Sequence, residues 1–361
     1  MKTKKLPVVA AICLSSMLSS LHTVGFEDTK LGVDGSSVPA HVQEFINDFA
    51  ANAQINDLAK NHGNAQETNN NSGKGERDEY PYSQYREYLK EHPEKRDWNT
   101  PFPEYAPVYF ASIKEHKNHE YPNGFKYADP CGTFEEDGDL EKLKTLIQDQ
   151  VDLGRKRVSD VEETRLNPFG RTGVRGPGEL GCFGPNQAVD SVIFCCIDGI
   201  WKVLLTQRPK GDAWALAGGM IDANDGTSRH AFKRELKEET GLDYNELHTS
   251  GLIHEIGIAY QGFSDDLRNT DNAWAETTAY VSILNPEALK TVKLAAEDPT
   301  EITGIRWVNL TEVLDGTRPL FASHTRILAD AVRLVSGKAT KKRSSCNEDE
   351  KEDREIKKSA V

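Results

Sequence analysis

Apolar positions change their spacing several times along the chain, and each change predicts an element. Val42, Phe45, Ile46 and Phe49 recur at helical spacing within VPAHVQEFINDFAANAQINDLAKN, which predicts one amphipathic helix. From Ala188 onward the runs SVIFCCI, WKVLLTQR, AWALAGGMI, GLIHEIGIAY, ETTAYVSIL and TGIRWVNL are short and rich in β-branched, aromatic and aliphatic residues, and they read as strands. Ser228–Thr240 and His324–Leu334 switch to helical spacing between and after them. Strands and helices in this alternation predict a layered α/β domain.

The middle of the chain is less regular. Repeated Pro and Tyr in EYPYSQYREYLKEHPEKRDWNTPFPEYAPVYF suggest an extended chain lying on a surface, followed by a helix at Asp139–Leu153. The run from Asn167 to Asp190 is dense in Gly and Pro, which means tight turns and close backbone approach rather than a packed helix. Arg171 and Arg175 stand among these glycines, either to meet an anion or as arginines of a solvated hinge loop.

Composition separates the folded mass from the ends. The 361 residues carry 44 Lys plus Arg against 57 Asp plus Glu, a net charge of −13, which argues against a nucleic-acid polymer as partner. Residues 1–25 open with Lys2, Lys4 and Lys5, then an uncharged apolar run from Leu6 to Leu21. That layout predicts a secretory signal peptide and a secreted or lumenal protein. The alternatives are an uncleaved anchor, for which the run is short, and mitochondrial import, for which Arg is missing. No later stretch is apolar enough to span a bilayer. Residues 26–79 read as a polar extension and linker, and residues 336–361 as a charged tail too poor in apolar surface to fold. The folded mass is then 80–335, divided into a lobe with its Gly-rich loop over 80–187 and the α/β domain over 188–335. Cys195 and Cys196 should point to opposite faces of a buried strand as small hydrophobes. Cys131 and Cys182 are candidates for a disulfide, and Asn70 and Asn309 stand in glycosylation sequons.

The chemistry concentrates in GGMIDANDGTSRHAFKRELKEETGL, Gly218 to Leu242. A strand leads into a Gly-Gly turn, then a loop with Asp222 and Asp225, then a helix ended by Gly241. At 100° per residue, Glu235, Glu238 and Glu239 share an arc of about 100° on one helix face. Like charges so close repel, and a hard divalent cation such as Mg²⁺ would offset the repulsion. The alternative is a solvated acidic helix face.

The run Arg234-Glu235-Leu236-Lys237-Glu238-Glu239-Thr240-Gly241-Leu242 resembles the core of the Nudix box, G-x5-E-x7-R-E-U-x-E-E-x-G-U. The upstream half departs from it: Gly226 stands where the family has Glu, and Gly219 lies one residue too far upstream. A one-residue insertion accounts for both, with Asp225 covering for the missing carboxylate. Three further stretches resemble the mitochondrial-type ADP-ribose pyrophosphatases: the Gly-rich run from Asn167, GFSDDLRNTDNAWAET from Gly262 to Thr277, and LFASHTRIL from Leu320.

The resemblance implies a Nudix α/β/α sandwich with a mixed sheet, preceded by a smaller N-terminal lobe. It implies Mg²⁺-dependent hydrolysis of ADP-ribose to AMP and ribose 5-phosphate, with Mn²⁺ as the alternative metal. Glu235, Glu238 and Glu239 would hold the metal and Arg234 would hold their geometry. Arg171, Asp265, Asp266, Arg268, Asn269, Asp271, Phe321 and His324 are the implied substrate-binding residues. Trp274 is read as a packed aromatic and Glu301 as a solvated loop residue. A monomer acting on a small nucleotide is expected. The competing readings are an ADP-ribose-binding Nudix-like sensor with little activity, and a Nudix hydrolase of another nucleoside diphosphate derivative.

Overall fold

The computed structural model describes residues 40–62, 84–112, 166–209, 214–222 and 224–337. The leader, the Asn-rich linker with Asn70, the Asp139–Leu153 helix, Cys131 and the charged tail beyond residue 337 lie outside the described residues.

The sheet is organised around its longest strand, β3 (Gly184–Ile197). It runs parallel to β8 (Ala273–Leu284) in unbroken register from Gly184↔Ala273 to Cys195↔Leu284. Its other edge pairs antiparallel first with β6 (Ala217–Met220) and then with β4 (Ile200–Gln207). β7 (Ile253–Phe263) extends the sheet beyond β8, while β5 (Trp214–Ala215) and β9 (Gly304–Asn309) flank β4. The sheet is therefore mixed, with seven strands among the described residues. A strand buried on both faces loses the in-out alternation that marks a half-exposed one, and β3 is nearly continuously buried from Gly184 onward.

Helices cover both faces. On one face α4 (Ser228–Thr240) and α5 (Tyr244–Thr249) close over Val189, Ile193, Leu204 and Tyr280 with Phe232 and Leu236. On the other face α1 (Ala40–Ala51) inserts Phe49 against Phe194 and Trp201, with ring centroids 5.1 and 4.7 Å apart. Next to it lies α2 (Ala53–Asn61), tied to a C-terminal helix over residues 324–337 by Arg333 Nη1 donating to Ala59 O. A short helix, Leu310–Leu314, follows β9 and receives His62 Nε2 at its Leu314 carbonyl. Cys195 joins the core on the α4 side, whereas Cys196 lies within the field of Asp48 of α1, so the two do face opposite ways.

Several expectations are corrected. The N-terminal amphipathic stretch is two helices, because Asn52 breaks it and caps α2 by accepting from Ile55 N. It is also not an extension outside the folded mass: Val42, Ile46, Phe49, Ile55 and Ala59 are buried. The Gly-rich run is not all turns. It holds β2 (Val174–Gly178), which pairs parallel with β1 (Val108–Ala111), and the first half of β3, so a boundary at 187 falls inside a strand. The Pro- and Tyr-rich run begins as helix α3 (Gln84–Glu91) and a 3-10 turn at Pro93–Arg96 before it extends.

Candidate functional site

Sequence fixes both ends of α4. Thr227 accepts from His230 N at its start, and Gly241 adopts the left-handed conformation at its end. Phe232 stacks on Tyr280 of β8, which turns the apolar side of the helix into the sheet. Arg234, Glu235 and Glu239 are thereby aimed at β6.

The Gly-Gly pair of β6 makes room for them. A Cβ on Gly219 would lie 2.4 Å from Glu235 Oε1, and one on Gly218 would lie 2.1 Å from Val189 O. Gly218 thus lets β6 sit against β3, and Gly219 lets the Glu235 carboxylate nestle onto the strand. Gly218 N donates to Glu239 Oε2 at 2.9 Å, so two of the three box carboxylates rest on one dipeptide.

Arg234 is the hub. Its Nε and Nη2 donate to Asp225 Oδ1 and Oδ2, both at 2.8 Å, and its Nη1 donates to Glu235 Oε1 and Glu238 Oε2, both at 2.9 Å. Nη2 also reaches Met220 O at 3.1 Å. Hydrogen bonding to Asp225, above all, raises the guanidinium pKa beyond its ordinary value. Asp225 also accepts from Asp222 N at 2.7 Å, which closes the loop that carries it. Burial raises Glu235 to about 7, opposed by Arg234 and reinforced by Glu239. Burial also raises Glu239, opposed by Arg208 and the Gly218 N–H, with Glu301 pushing the same way as burial.

Clustered carboxylate oxygens suit a hard divalent cation, and the cradle at Gly219 is a space that any side chain would fill. Glu235, Glu238 and Glu239 fit that chemistry. In their present arrangement each has an arginine for company, Arg234 for the first two and Arg208 for the third. Among the described residues no group of three or more His, Cys, Asp or Glu side chains is drawn together tightly enough to hold a metal.

The loop after β7 carries most of the other candidates and divides them. Asp266 holds Arg268 in a fork, with Nε–Oδ1 at 3.0 Å and Nη2–Oδ2 at 2.7 Å. Asn269 is buried, its Nδ2 donating to Ser264 O and its Oδ1 accepting from Ala275 N. Asp271 is buried too, and accepts from Tyr105 OH at 2.7 Å and from Thr172 N and Oγ1 at 2.7 and 2.8 Å. Asp265 is half-buried, with burial raising its pKa against the pull of Arg96. Asn269 and Asp271 therefore fasten the loop to its surroundings, while Asp265 is the carboxylate with the fewest such ties.

Three candidates stand elsewhere. Arg171, expected to meet an anion, donates instead to the carbonyls of Lys95, Asp97, Thr100 and Trp98, and its guanidinium lies 4.9 Å from the Trp98 ring. The Gly-rich context signalled close backbone approach, and that approach supplies carbonyls. His324 is buried between Leu216 N, which donates to its Nδ1 at 2.9 Å, and Asp190 Oδ1, 3.3 Å from its Nε2. Both ring nitrogens are engaged within the protein. Phe321 is half-buried beside His324, and its N donates to Trp214 O. Trp274 is packed, as expected, with Nε1 donating to Glu276. Sequence reasoning passed over Arg208 and Asp190. Arg208 directly follows Gln207, the last residue of β4, and that placement upstream of the Gly-Gly segment is its available signal.

Residues 187–330 match the NUDIX domain model, and residues 92–184 match the model of the NUDT9-like, N-terminal domain. The chain contains a Nudix domain. The junction between the two matches falls at the start of β3, the strand both parts share. Nudix hydrolase 6 of Caenorhabditis elegans is 37% identical over 166 residues, 45% of this chain and 61% of that protein. Transient receptor potential cation channel subfamily M member 2 of Mus musculus is 32% identical over 264 residues, 67% of this chain and 16% of the channel. The mitochondrial ADP-ribose pyrophosphatase of Rattus norvegicus is 29% identical over 304 residues, 74% of this chain and 79% of that protein. The alignments thus span less than two thirds of the worm and channel relatives. Among solved structures, the Nudix domain of Shewanella oneidensis NrtR complexed with ADP ribose is 26% identical over 40% of this chain and 84% of that chain, with a TM-score of 0.32.

Proposed function

We propose that this Nudix protein hydrolyses ADP-ribose to AMP and ribose 5-phosphate, with Mg²⁺ or Mn²⁺ held by Glu235, Glu238 and Glu239. The observation that carries the reading is the Gly218-Gly219 seat. Two box carboxylates are pressed onto it and Arg234 is locked beside them, an arrangement with buried negative charge and a neighbouring cation. The resemblance to the rat mitochondrial ADP-ribose pyrophosphatase supports the substrate.

In the reaction a water oxygen bonds to one phosphorus, the bridging P–O bond breaks with its electrons going to the bridging oxygen, and the two protons of the water pass to solvent as both product phosphates become dianions. A bound divalent ion would neutralise the pyrophosphate and acidify the water. Arg234 would keep Glu235 and Glu238 in place through Asp225. Asp265 is assigned to the sugar-phosphate end, and Phe321 to the adenosine end. Asp266 would orient Arg268 toward phosphate. Asn269, Asp271 and His324 would act by holding those elements rather than by touching substrate, since their polar atoms are already committed.

A second reading, an ADP-ribose sensor with little turnover, is favoured by Gly226 at the position of the family's Glu and by the similarity to the mouse channel. Incubation with ADP-ribose and Mg²⁺ separates the two: AMP is expected from the wild type and not from Glu238→Gln. Binding without AMP would establish the sensor instead. The leader is assigned to secretory entry, with mitochondrial import as the alternative that the rat relative supports. Locating the full-length protein in cells tests that assignment.

A further inference from the structure

We propose that Arg208 is a built-in counter-ion of the metal-facing carboxylates, which competes with the divalent cation for Glu239 and then serves the substrate's pyrophosphate. The inference rests on the assignment of Glu239 to metal binding.

Two arginines attend the box carboxylates, and they are held differently. Arg234 makes five contacts between 2.8 and 3.1 Å with Asp225, Glu235, Glu238 and Met220. Arg208 reaches Glu239 Oε1 at 3.5 Å and Gly218 O at 3.4 Å, distances too long for strong hydrogen bonds. Its side chain is 45% exposed, against 26% for Arg234. Arg234 is thus a structural tie, and Arg208 is a cation parked by charge at the rim.

Glu239 explains why a cation parks there. Its side chain is 7% exposed, and its Oε2 already accepts from Gly218 N. A carboxylate so far from water is stable only beside a donor or a cation. Oε1 is the oxygen left for that partner, and Arg208 fills the role. A divalent ion on Oε1 would occupy the same side of the carboxylate, and like charges would repel. A bound cation would therefore push the guanidinium aside, and the side chain would stay tethered just past Gln207, the last residue of β4. Freed there, it meets the negative charge of a diphosphate. The same residue then opposes metal binding alone and favours binding of the metal together with a nucleotide.

The signature is a pair of opposite signs in one variant. In full-length Arg208→Gln, Mn²⁺ measured by calorimetry without nucleotide should bind about fivefold tighter, the value of a half-exposed ion pair. AMP binding at saturating Mn²⁺ should weaken about fivefold or more, and Arg208→Lys should fall between. Unchanged or weaker Mn²⁺ binding by a folded Arg208→Gln protein would overturn the inference, as would unchanged AMP binding. Glu239→Gln is the control on the underlying reading and should lose Mn²⁺ affinity. If it binds Mn²⁺ like the wild type, the metal assignment fails first and the competition with it.

Discussion

The Asp225 carboxylate grips the Arg234 guanidinium at two points, Nε to Oδ1 and Nη2 to Oδ2, each 2.8 Å long. This fork is where the irregular box loop finds its solution. The extra loop residue puts Gly226 at the position of the missing Glu, in a left-handed conformation with open space around its Cα. The residue before it supplies the acid. Asp225→Ala should lower stability by about 2–3 kcal/mol, because it leaves a partly buried guanidinium short of its main partner. Gly226→Glu should cost about 1 kcal/mol through its positive φ and should not raise activity. Denaturant unfolding of both variants, with AMP release alongside, checks the pair.

Gly218 and Gly219 should fail in different ways. A methyl group on Gly218 meets the Val189 carbonyl, which is backbone of the central strand and cannot step aside. Gly218→Ala should destabilise by about 3 kcal/mol as β6 is pushed off β3. A methyl group on Gly219 meets the end of the Glu235 side chain, which can swing away. Gly219→Ala should cost about 1 kcal/mol or less yet lower turnover at least about tenfold. Equal thermal shifts in the two variants would contradict this division.

Tyr105 and Asp271 join the N-terminal lobe to the loop after β7. Burial raises Asp271 above the usual carboxylate range, while its bonds with Tyr105 and Thr172 oppose the shift. Tyr105→Phe should cost about 1–2 kcal/mol, and Asp271→Ala about 3, since the latter takes the acceptor from both Tyr105 OH and Thr172 N. Limited proteolysis should show faster cleavage near residues 264–271 in Asp271→Ala than in the wild type.

Without metal, Glu235 makes stability depend on pH. Its folded pKa of about 7 exceeds its ordinary value of 4.5, so the folded state holds the proton more tightly than the unfolded chain. The group's contribution is full below pH 4.5 and is lost as pH rises through about 7, for a total of about 3 kcal/mol. Glu235→Gln should lack this slope. Unfolding of both proteins in EDTA at pH 5 and pH 8 measures the difference, and parallel profiles would show that Glu235 titrates normally.

The box helix was legible because its apolar, capping and acidic positions all follow one period, and Ser228–Thr240 is the helix that forms. The strands were legible where β-branched residues run together. What stayed hidden depended on partners distant in sequence. Arg171 and His324 look like ligand-binding residues in a linear reading, yet Lys95, Asp97 and Thr100 claim the first, and Leu216 and Asp190 claim the second. Nothing local marks Asn269 as a fastening either, because both groups its side chain binds appear only once the loop has closed. The first half of β3 escaped for a related reason. Gly184, Pro185 and Asn186 are poor strand formers, and they are strand only because β8 lies beside them.

The docking of α1 on Trp201 bears on where this protein can be cut. Both family matches begin downstream of it, at residues 92 and 187, so similarity alone would draw the working unit without it. Trp201 Nε1 donates to Asp48, and its ring is walled in by Phe45 and Phe49. A protein trimmed to the matched span would keep every box residue and still bare an aromatic floor. Its failure in an assay would then record lost solubility rather than lost chemistry.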